Sequence, residues 1–342
     1  MRIIHAVLIA FAAAAPLAVH SADTLYVGAA GGSLQKAFEG TIIPAFEAKT
    51  GAKVVYVPGN STDILAKLIA QKARPVLSLA LTDDGPMYQA MEQGLCAPVD
   101  EVGPVKDLYP TARMAGGKAV GVGLYASGLG YNKEVFARNG WKPPTSWMDL
   151  ADPKYKGKVS VAPINGYGIH ALVMMARING GGEDNIDPGF EAIAKKVAPN
   201  VLAWEASPAN MGQLLQTGEA ALVAWGNLRV EAVADQGAPV AFVYPKEGAI
   251  LGLIAGCVVN GAPQPKLAQL FLQEILSPAS QAVLAKAGGL GPTNRNTKLE
   301  PEVARKVVYG AEQAGALLPL KHSAINPRRA EWTKRWNREV ER

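Results

Sequence analysis

The 342-residue sequence is 49% hydrophobic and 18% charged, a composition that excludes an intrinsically disordered chain. Its formal net charge is +5, but the basic residues are scattered except in the C-terminal segment NPRRAEWTKRWNREVER, which argues against nucleic-acid binding. That segment alternates in charge and predicts a solvated terminal helix with Trp332 and Trp336 packed inward.

The first residues have the organisation of an export signal. Arg2 provides a positive start, and a short apolar run from Ala6 to Val19 follows before the small residue Ala22. The run is shorter than the roughly 20 apolar residues that a membrane span requires, and no cysteine near Ala22 could carry a lipid. We therefore predict a signal peptide over residues 1–21 and a soluble periplasmic protein without a lipid anchor.

Strands and helices alternate after the predicted signal. The segments TLYVG, KVVYVPG and VLSLALT have the pattern of strands, and the segments that begin at Ser33, Asn60 and Asp83 have the pattern of helices. This alternation predicts a doubly wound α/β lobe. The loops after its strands are expected to meet at one edge, where such folds bind ligands.

Two long extended segments divide the rest of the chain. AVGVGLYASGLGYN precedes a second series of strands and helices, and EGAILGLIAGCVVNGA follows that series. Segments of this length suit a chain that passes from one lobe to another. We predict two doubly wound α/β lobes joined by two extended hinge crossings, with a ligand cleft between them. The predicted bounds are 22–124 plus 255–342 for the first lobe and 125–254 for the second.

Four motifs resemble one protein family. PTSWMDLADPKYKGKV resembles its P-x-S-W-x-D-L-x-D-P-x-Y-K-G-K-V element, YASGLGYNKEVF its first crossing, PVAFVYPKEGA its second, and SPASQAVLAKAGGLGPTN its C-terminal helix and loop. The family is that of the extracellular solute-binding proteins of ABC importers, near the spermidine/putrescine- and ferric-iron-binding proteins. The resemblance implies a type II periplasmic-binding fold.

The resemblance also implies partners. The ligand would be a small-molecule solute, and the closed receptor would dock on ABC permease and ATPase subunits at the inner membrane. We expect a monomer that binds no nucleic acid. A chemosensory receptor of the same fold is an alternative.

The sequence lacks the motifs of common enzyme classes. Two of the four histidines fall in the predicted signal, and His170 and His322 stand in neither a metal-ligand nor a nucleophile–histidine pattern. There is no Gly-x-Ser-x-Gly and no dinucleotide-binding glycine pattern. We predict no catalytic residue, cofactor or metal site. A remote alternative, a carboxylate-based hydrolase, would use Asp83, Asp84 and Glu247.

Polar and aromatic side chains at the predicted cleft edge are the candidate solute ligands. In the first lobe, hydroxyl and carboxylate groups after the strands could face a ligand or cap the following helices. Trp225 matches the cleft aromatic of the resembled family, with packing inside the lobe as the alternative. For Glu247 the alternative is a surface pair with Lys246. The candidates are Ser61, Thr62, Thr82, Asp83, Asp84, Tyr125, Ser127, Tyr167, His170, Trp225 and Glu247.

The resemblance constrains the solute only in part. Where polyamine-binding relatives carry carboxylates, this chain has Gly166, Tyr167 and His170. Without a carboxylate partner, burying an ammonium group costs on the order of several kcal/mol. Ferric relatives use an adjacent pair of tyrosines, which this sequence lacks. We expect a small polar organic solute in a receptor of the polyamine-like family. Ferric iron, or a small carboxylate or phosphonate, is the alternative.

Cys96 and Cys257 are the two cysteines of the sequence. A disulfide is compatible with the oxidising periplasm, but two cysteines far apart in sequence do not define one. The sequence leaves their state open.

Overall fold

The computed structural model describes residues 23–341, and the predicted signal peptide over residues 1–21 lies outside the described residues. Within the described part, the strands are β1 (Thr24–Ala29), β2 (Lys53–Pro58), β3 (Leu79–Asp83), β4 (Val120–Asn132), β5 (Val159–Val161), β6 (Val201–Trp204), β7 (Leu222–Gly226), β8 (Val240–Val243) and β9 (Ile250–Val258). The α-helices are α1 (Ser33–Ala37), α2 (Ile43–Thr50), α3 (Ser61–Ala70), α4 (Asp84–Glu92), α5 (Lys133–Arg138), α6 (Ile169–Ile178), α7 (Asp187–Ala192), α8 (Pro208–Thr217), α9 (Asn227–Ala234), α10 (Pro265–Ile275), α11 (Pro278–Gly288), α12 (Pro301–Ala304), α13 (Ala311–Ala316), α14 (His322–Ile325) and α15 (Arg329–Glu339). None of the helices between residues 23 and 341 is long and apolar enough to cross a membrane.

The described strands form one mixed sheet. Its order is β2-β1-β3-β9-β4-β7-β5-β6, and β8 pairs with β4. At one end β1 is parallel to β2 and β3, and at the other end β5 is parallel to β6 and β7. Each end is therefore a parallel α/β unit, as the alternation of strands and helices predicts.

Separate hydrophobic cores lie at the two ends of the sheet. The first lobe packs apolar side chains on both faces of its strands, with Phe38 in one cluster and Met87 in the other. The second lobe does the same, with Trp147 and Phe190 in one cluster and Met211 in the other. Each lobe therefore has a hydrophobic core of its own. Burying one such side chain contributes about 1.5–3 kcal/mol to stability.

Strands β4 and β9 connect the two lobes. They pair antiparallel along most of their length, with Tyr125 opposite Gly252 and Ser127 opposite Ile250. The end of β9 pairs with β3 of the first lobe, and the end of β4 pairs with β7 of the second. The prediction of two α/β lobes joined by two extended crossings is confirmed.

The C-terminal segment packs on a different lobe from the one that the sequence suggested. The predicted bounds placed all of residues 255–342 in the first lobe, but Ile325 belongs to a core cluster of the second. In α15, the ring centroid of Trp336 lies 5.2 Å from that of Trp204 and 6.5 Å from that of Phe190. We call residues 320–329, which lead into this anchored helix, the C-terminal strap.

Cys96 and Cys257 form a disulfide. Cys96 follows α4, and Cys257 lies near the end of β9, so the bridge ties a first-lobe helix to the second crossing strand. Both side chains are buried. The structure thus pairs the thiols whose state the sequence left open.

Candidate functional site

A cavity of about 490 Å³ lies between the lobes. This volume falls within the range of roughly 300–1,000 Å³ that is usual for small-molecule sites. Side chains from the first lobe, the second lobe, β4 and the C-terminal strap all face it. They include Asn60, Ser61, Thr62, Asp83, Asp84, Tyr125, Asn165, Tyr167, His170, Arg229, His322 and Arg329.

Asp83 ends β3 and organises the polar groups of the first lobe. Its Oδ2 accepts a hydrogen bond from the Ser61 hydroxyl at 2.7 Å, and its Oδ1 accepts one from the Tyr125 hydroxyl at 3.3 Å. Burial raises the pKa of Asp83, and the neighbouring Asp84 acts in the same direction, whereas the hydrogen bonds from Ser61 and Tyr125 lower it. These contacts fix the carboxylate at the cavity edge, where it can accept a hydrogen bond from a solute.

The start of α3 supplies a second polar edge. Asn60 caps this helix, because its Oδ1 accepts a hydrogen bond from the backbone N–H of Asp63 at 2.9 Å. The Ser61 hydroxyl is therefore free to bond to Asp83, and Thr62 faces the cavity as an exposed residue. The positive end of the helix dipole also favours an anionic group here.

Three rings form one wall of the cavity. The rings of Tyr125 and Tyr167 meet edge-on with centroids 6.0 Å apart, and Tyr167 and His170 do so at 5.6 Å. Glycines allow this approach, because a Cβ on Gly252 would lie 2.1 Å from the Tyr125 ring and one on Gly226 would lie 2.4 Å from the Tyr167 hydroxyl oxygen. The wall therefore depends on two positions without side chains.

Replacing Gly252 with Ala is expected to weaken solute binding about tenfold. The added methyl group would overlap the Tyr125 ring, and overpacking of this kind typically costs about 1–3 kcal/mol. Titration calorimetry measures the affinity, and thermal unfolding measures the accompanying loss of stability. Gly40→Ala is the matched control, because the Cβ position of Gly40 has open space around it. Wild-type affinity in Gly252→Ala would contradict a role for the Tyr125 ring.

Asp84 and Tyr88 of α4 contact the C-terminal strap. Asp84 Oδ2 lies 3.4 Å from His322 Nε2, and the rings of Tyr88 and His322 stack with centroids 4.8 Å apart. Burial opposes ionisation of Asp84, but the His322 imidazole and the backbone N–H of Gly85 hold its pKa below the usual range. The strap thus joins the first lobe at the cavity edge.

His170 faces the cavity as a buried imidazole. Its Nδ1 has no hydrogen-bond partner in the described part of the chain. Burial lowers the pKa of His170 from 6.5 to about 4; the neighbouring His322 and Arg329 act in the same direction, whereas Asp84 opposes them. The imidazole is therefore neutral at pH 7.

We expect His170 to lower the free energy of unfolding as the pH falls from 6.5 towards 4. In that window the unfolded chain binds a proton at His170 and the folded protein does not, a loss of up to about 3 kcal/mol. Denaturant unfolding at a series of pH values measures it. In His170→Asn, the slope of the free energy against pH should be shallower by up to about 1.4 kcal/mol per pH unit. Identical slopes would contradict a neutral buried imidazole.

Four predicted site residues lie outside the cavity lining, namely Thr82, Ser127, Trp225 and Glu247. Thr82 is buried, and its hydroxyl donates to the backbone oxygen of Asp83 at 3.1 Å. Successive strand side chains point to opposite faces, so Thr82 and Asp83 cannot share the cavity face of β3. Ser127 is fully buried within the sheet, between Gly226 of β7 and Ile250 of β9.

Trp225 packs in the second lobe. It is 3% exposed and belongs to a core cluster with Met211 and Val223. Val223 shares its face of β7, while Leu222 and Ala224 point into the opposite cluster, in accordance with the two-residue period of a strand. The ring borders a separate groove next to α8 and does not line the cavity. The structure therefore favours the packing alternative.

Glu247 is occupied by the scaffold of the second crossing. Its Oε1 accepts a hydrogen bond from the Ser146 hydroxyl at 2.5 Å, and its Oε2 accepts one from the backbone N–H of Trp147 at 3.2 Å. The indole N–H of Trp147 donates to the carbonyl of Gly248 at 2.9 Å. The residue therefore links the crossing to the PTSWMDL corner rather than to the cavity or to Lys246.

The structure brings seven of the candidates together, namely Ser61, Thr62, Asp83, Asp84, Tyr125, Tyr167 and His170. It also adds three cationic or ionisable side chains that sequence reasoning missed, namely Arg229, His322 and Arg329. Arg229 lies in the first turn of α9 and faces the Tyr167 hydroxyl. Its position after a parallel strand is the signal that could have found it. The other two lie in the strap, whose course the sequence did not indicate.

The cavity offers hydrogen bonding, ring stacking and charges of both signs. Among residues 23–341, no group of three or more His, Cys, Asp or Glu side chains is arranged to hold a metal ion. Burial raises the pKa of Tyr125 and of Tyr167, which disfavours their phenolate forms. This donor set fits a polar organic molecule.

Comparison with known proteins places this architecture. Residues 41–310 match the family model of bacterial extracellular solute-binding proteins. The chain belongs to this family. The resemblance drawn from the sequence motifs is confirmed, and the molecule is a bacterial extracellular solute-binding protein.

Similar proteins cover most of this solute-binding protein. An uncharacterized protein of Haemophilus influenzae is 28% identical over 81% of this chain and 82% of its own length. The gamma-aminobutyric acid-binding protein of Pseudomonas aeruginosa is 24% identical over 84% of this chain and 81% of its own. A crystal structure of an ABC transporter protein from Clostridium perfringens superimposes with a TM-score of 0.80 at 20% identity, covering 92% of this chain and 99% of that one. That likeness supports the type II periplasmic-binding fold.

Proposed function

We propose that this protein captures a small polar organic solute in the periplasm and delivers it to an ABC permease and its ATPase at the inner membrane. In this proposal it is exported by a cleaved signal peptide and acts as a monomer without a lipid anchor. The observation that carries the proposal is the cavity of about 490 Å³, whose lining comes from both lobes and from a crossing strand. A solute that contacts all three stabilises their closed arrangement.

The charges around the cavity support a solute other than a polyamine. Arg229 and Arg329 both line it, and a chain of ammonium groups would lie beside these two guanidinium groups. Asp83 can accept a hydrogen bond from one donor group of the solute, with Ser61 and Tyr125 holding it in place. The relative named for gamma-aminobutyric acid, a solute with one amine and one carboxylate, fits the same pattern.

Binding in this proposal needs no chemical step. Tyr125 and Tyr167 would pack against the solute, Asp83 would accept from its donor group, and Arg229 would face it from the second lobe. Closure about β4 and β9 then excludes water from these contacts. The strengthened electrostatic contacts favour the closed form that the permease recognises.

Ferric iron is the alternative ligand to an organic solute. It would require phenolate or carboxylate oxygens that converge on one point. In the described cavity, burial raises the pKa of both tyrosines, and no qualifying cluster of His, Cys, Asp or Glu occurs between residues 23 and 341. These features favour an organic solute.

A ligand screen by thermal unfolding tests the proposed function. The panel contains amino acids, ω-amino acids, mono- and dicarboxylates, sugar phosphates, phosphonates, polyamines and ferric citrate. A true ligand at 100 times its Kd stabilises the fold by about 2.7 kcal/mol and raises Tm. We expect at least one organic solute to do so and to be recovered unchanged. No shift with any compound, or turnover of the compound that binds, would contradict the proposal.

A further inference from the structure

The C-terminal strap is a separate wall of the cavity, carried by the second lobe. Ile325 of the strap is fully buried in the core cluster that contains Trp336 of α15. The backbone N–H of Lys321 donates to Glu183 at 2.9 Å, and a guanidinium N–H of Arg328 donates to the carbonyl of Glu183 at 3.1 Å. The strap is therefore fixed at both ends to the second lobe.

From this anchor the strap reaches the first lobe. His322 stacks on Tyr88 with ring centroids 4.8 Å apart. Arg329 Nη2 approaches Gly85 so closely that a Cβ on this glycine would lie 3.1 Å from it. The strap thus spans the cleft at the start of α4, and Leu320, His322 and Arg329 face the cavity.

Several polar atoms at this wall lack hydrogen-bond partners. Among the described residues that line the cavity these are Arg329 Nε, Nδ1 of His322 and Nδ1 of His170, whereas Nε2 of His322 lies 3.4 Å from Asp84 Oδ2. The two histidines are 6% and 7% exposed. Buried polar atoms are almost always paired, and leaving one unpaired is unfavourable. Three such side chains that line one cavity therefore indicate a missing polar partner.

We propose that Arg329, His322 and His170 bind an acidic group of the solute, a carboxylate or a phosphate. The inference rests on the proposed function and names the class of solute. The guanidinium group is a permanent donor, and its planar fork suits an oxyanion. Asp84 also stands at this wall, but its Oδ1 accepts from the backbone N–H of Gly85 at 2.8 Å and its Oδ2 lies beside His322. Its oxygens are thus engaged by protein groups.

This arrangement gives the solute two distinct ends. The acidic group lies at the strap, and a donor group lies towards Asp83, which Ser61 and Tyr125 hold at the other edge. Arg229, near Tyr167, is the competing cation for the acidic group. Replacing Arg229 and Arg329 one at a time shows which of the two binds the acidic group.

Titration calorimetry with paired probes tests the proposal. The pairs are 4-aminobutanoate with 4-aminobutanamide, and fructose 6-phosphate with fructose, so that the two arms distinguish carboxylate from phosphate. For at least one pair, the wild type should bind the acid about 100-fold more tightly than its neutral counterpart. In Arg329→Met the acid should lose about 10- to 100-fold in affinity, while the neutral compound changes little.

Control variants make the result specific. Arg305→Met removes an exposed arginine that does not line the cavity and should leave both affinities unchanged. His322→Gln, a smaller change at the same wall, should weaken binding of the acid less than Arg329→Met does. If Arg329→Met does not fold, His322→Gln is the variant that tests the proposal. Circular dichroism and Tm establish folding of each variant.

The outcomes separate the two proposals. The strap proposal would be overturned if Arg329→Met and His322→Gln still bind the acid in preference to its neutral counterpart. It would also be overturned if this preference is lost in Arg229→Met instead. Binding of only neutral or cationic solutes in the wider panel would also overturn it while leaving the receptor function in place. Failure of every compound in that panel would count against the receptor function itself.

Discussion

Replacing Asp83 with Asn is expected to weaken solute binding about 30- to 150-fold. A charge-assisted hydrogen bond contributes about 2–3 kcal/mol, and the carboxylate is the acceptor that Ser61 and Tyr125 hold in position. The amide keeps the shape of the side chain but loses its charge and one acceptor oxygen. Titration calorimetry with the solute found by the ligand screen measures the change.

Asp152→Asn is the matched control for this variant. Asp152 lies outside the cavity lining and forms an ion pair with Lys154 at 2.8 Å, with both side chains partly exposed. Such a pair contributes about 1 kcal/mol at most to stability. Because Asp152 does not line the cavity, the affinity for the solute should not change. Equal affinities for wild type, Asp83→Asn and Asp152→Asn would remove Asp83 from the site.

Replacing both cysteines with alanine (Cys96→Ala and Cys257→Ala) is expected to lower the free energy of unfolding by several kcal/mol. The bridge joins residues 161 positions apart, so it strongly restricts the unfolded chain. The loop-entropy relation gives about 5 kcal/mol at this length. Denaturant unfolding of the oxidised protein and the double variant measures the difference.

Solute affinity is the internal control for the disulfide. Neither cysteine lines the cavity, so the folded double variant should bind solute as the wild type does. Reductant should destabilise the wild type and leave the double variant unaffected. Equal unfolding curves for the two proteins without reductant, or two titratable thiols in the unreduced wild type, would contradict the bridge.

The fold could be predicted because its determinants are local. Alternating apolar residues and helix starts at Ser33 and Asn60 define the first α/β lobe, and the length of the AVGVGLYASGLGYN segment identifies a crossing strand. The packing of the C-terminal strap could not be predicted, because nothing in its local pattern names the lobe that buries Ile325. Long-range packing of a terminal segment has no periodic signal in one sequence.

The candidate site could be predicted where a residue follows a parallel strand. Ser61 and Asp83 were found in this way, and both face the cavity. Trp225 also lies at a strand end, but the period of β7 turns its ring into the lobe. Register decides between these outcomes, and a short strand such as β7 leaves register ambiguous in the sequence.

Arg329 and His322 show a second limit of sequence reasoning. Arg329 lies in the C-terminal segment NPRRAEWTKRWNREVER, whose alternating charge suggests exposure to solvent, and His322 lies just before that segment. In the structure the anchoring of Trp332 and Trp336 brings the strap back to the cavity. The inward packing of the two tryptophans was predicted, but its consequence for the site requires the fold.

A crystal structure of the protein with the solute that most raises Tm tests the account most directly. We predict that the solute lies between the lobes, with a donor group at Asp83, its body against Tyr125 and Tyr167, and both lobes in contact with it. A solute bound in the groove beside Trp225, or on one lobe alone, would contradict the account.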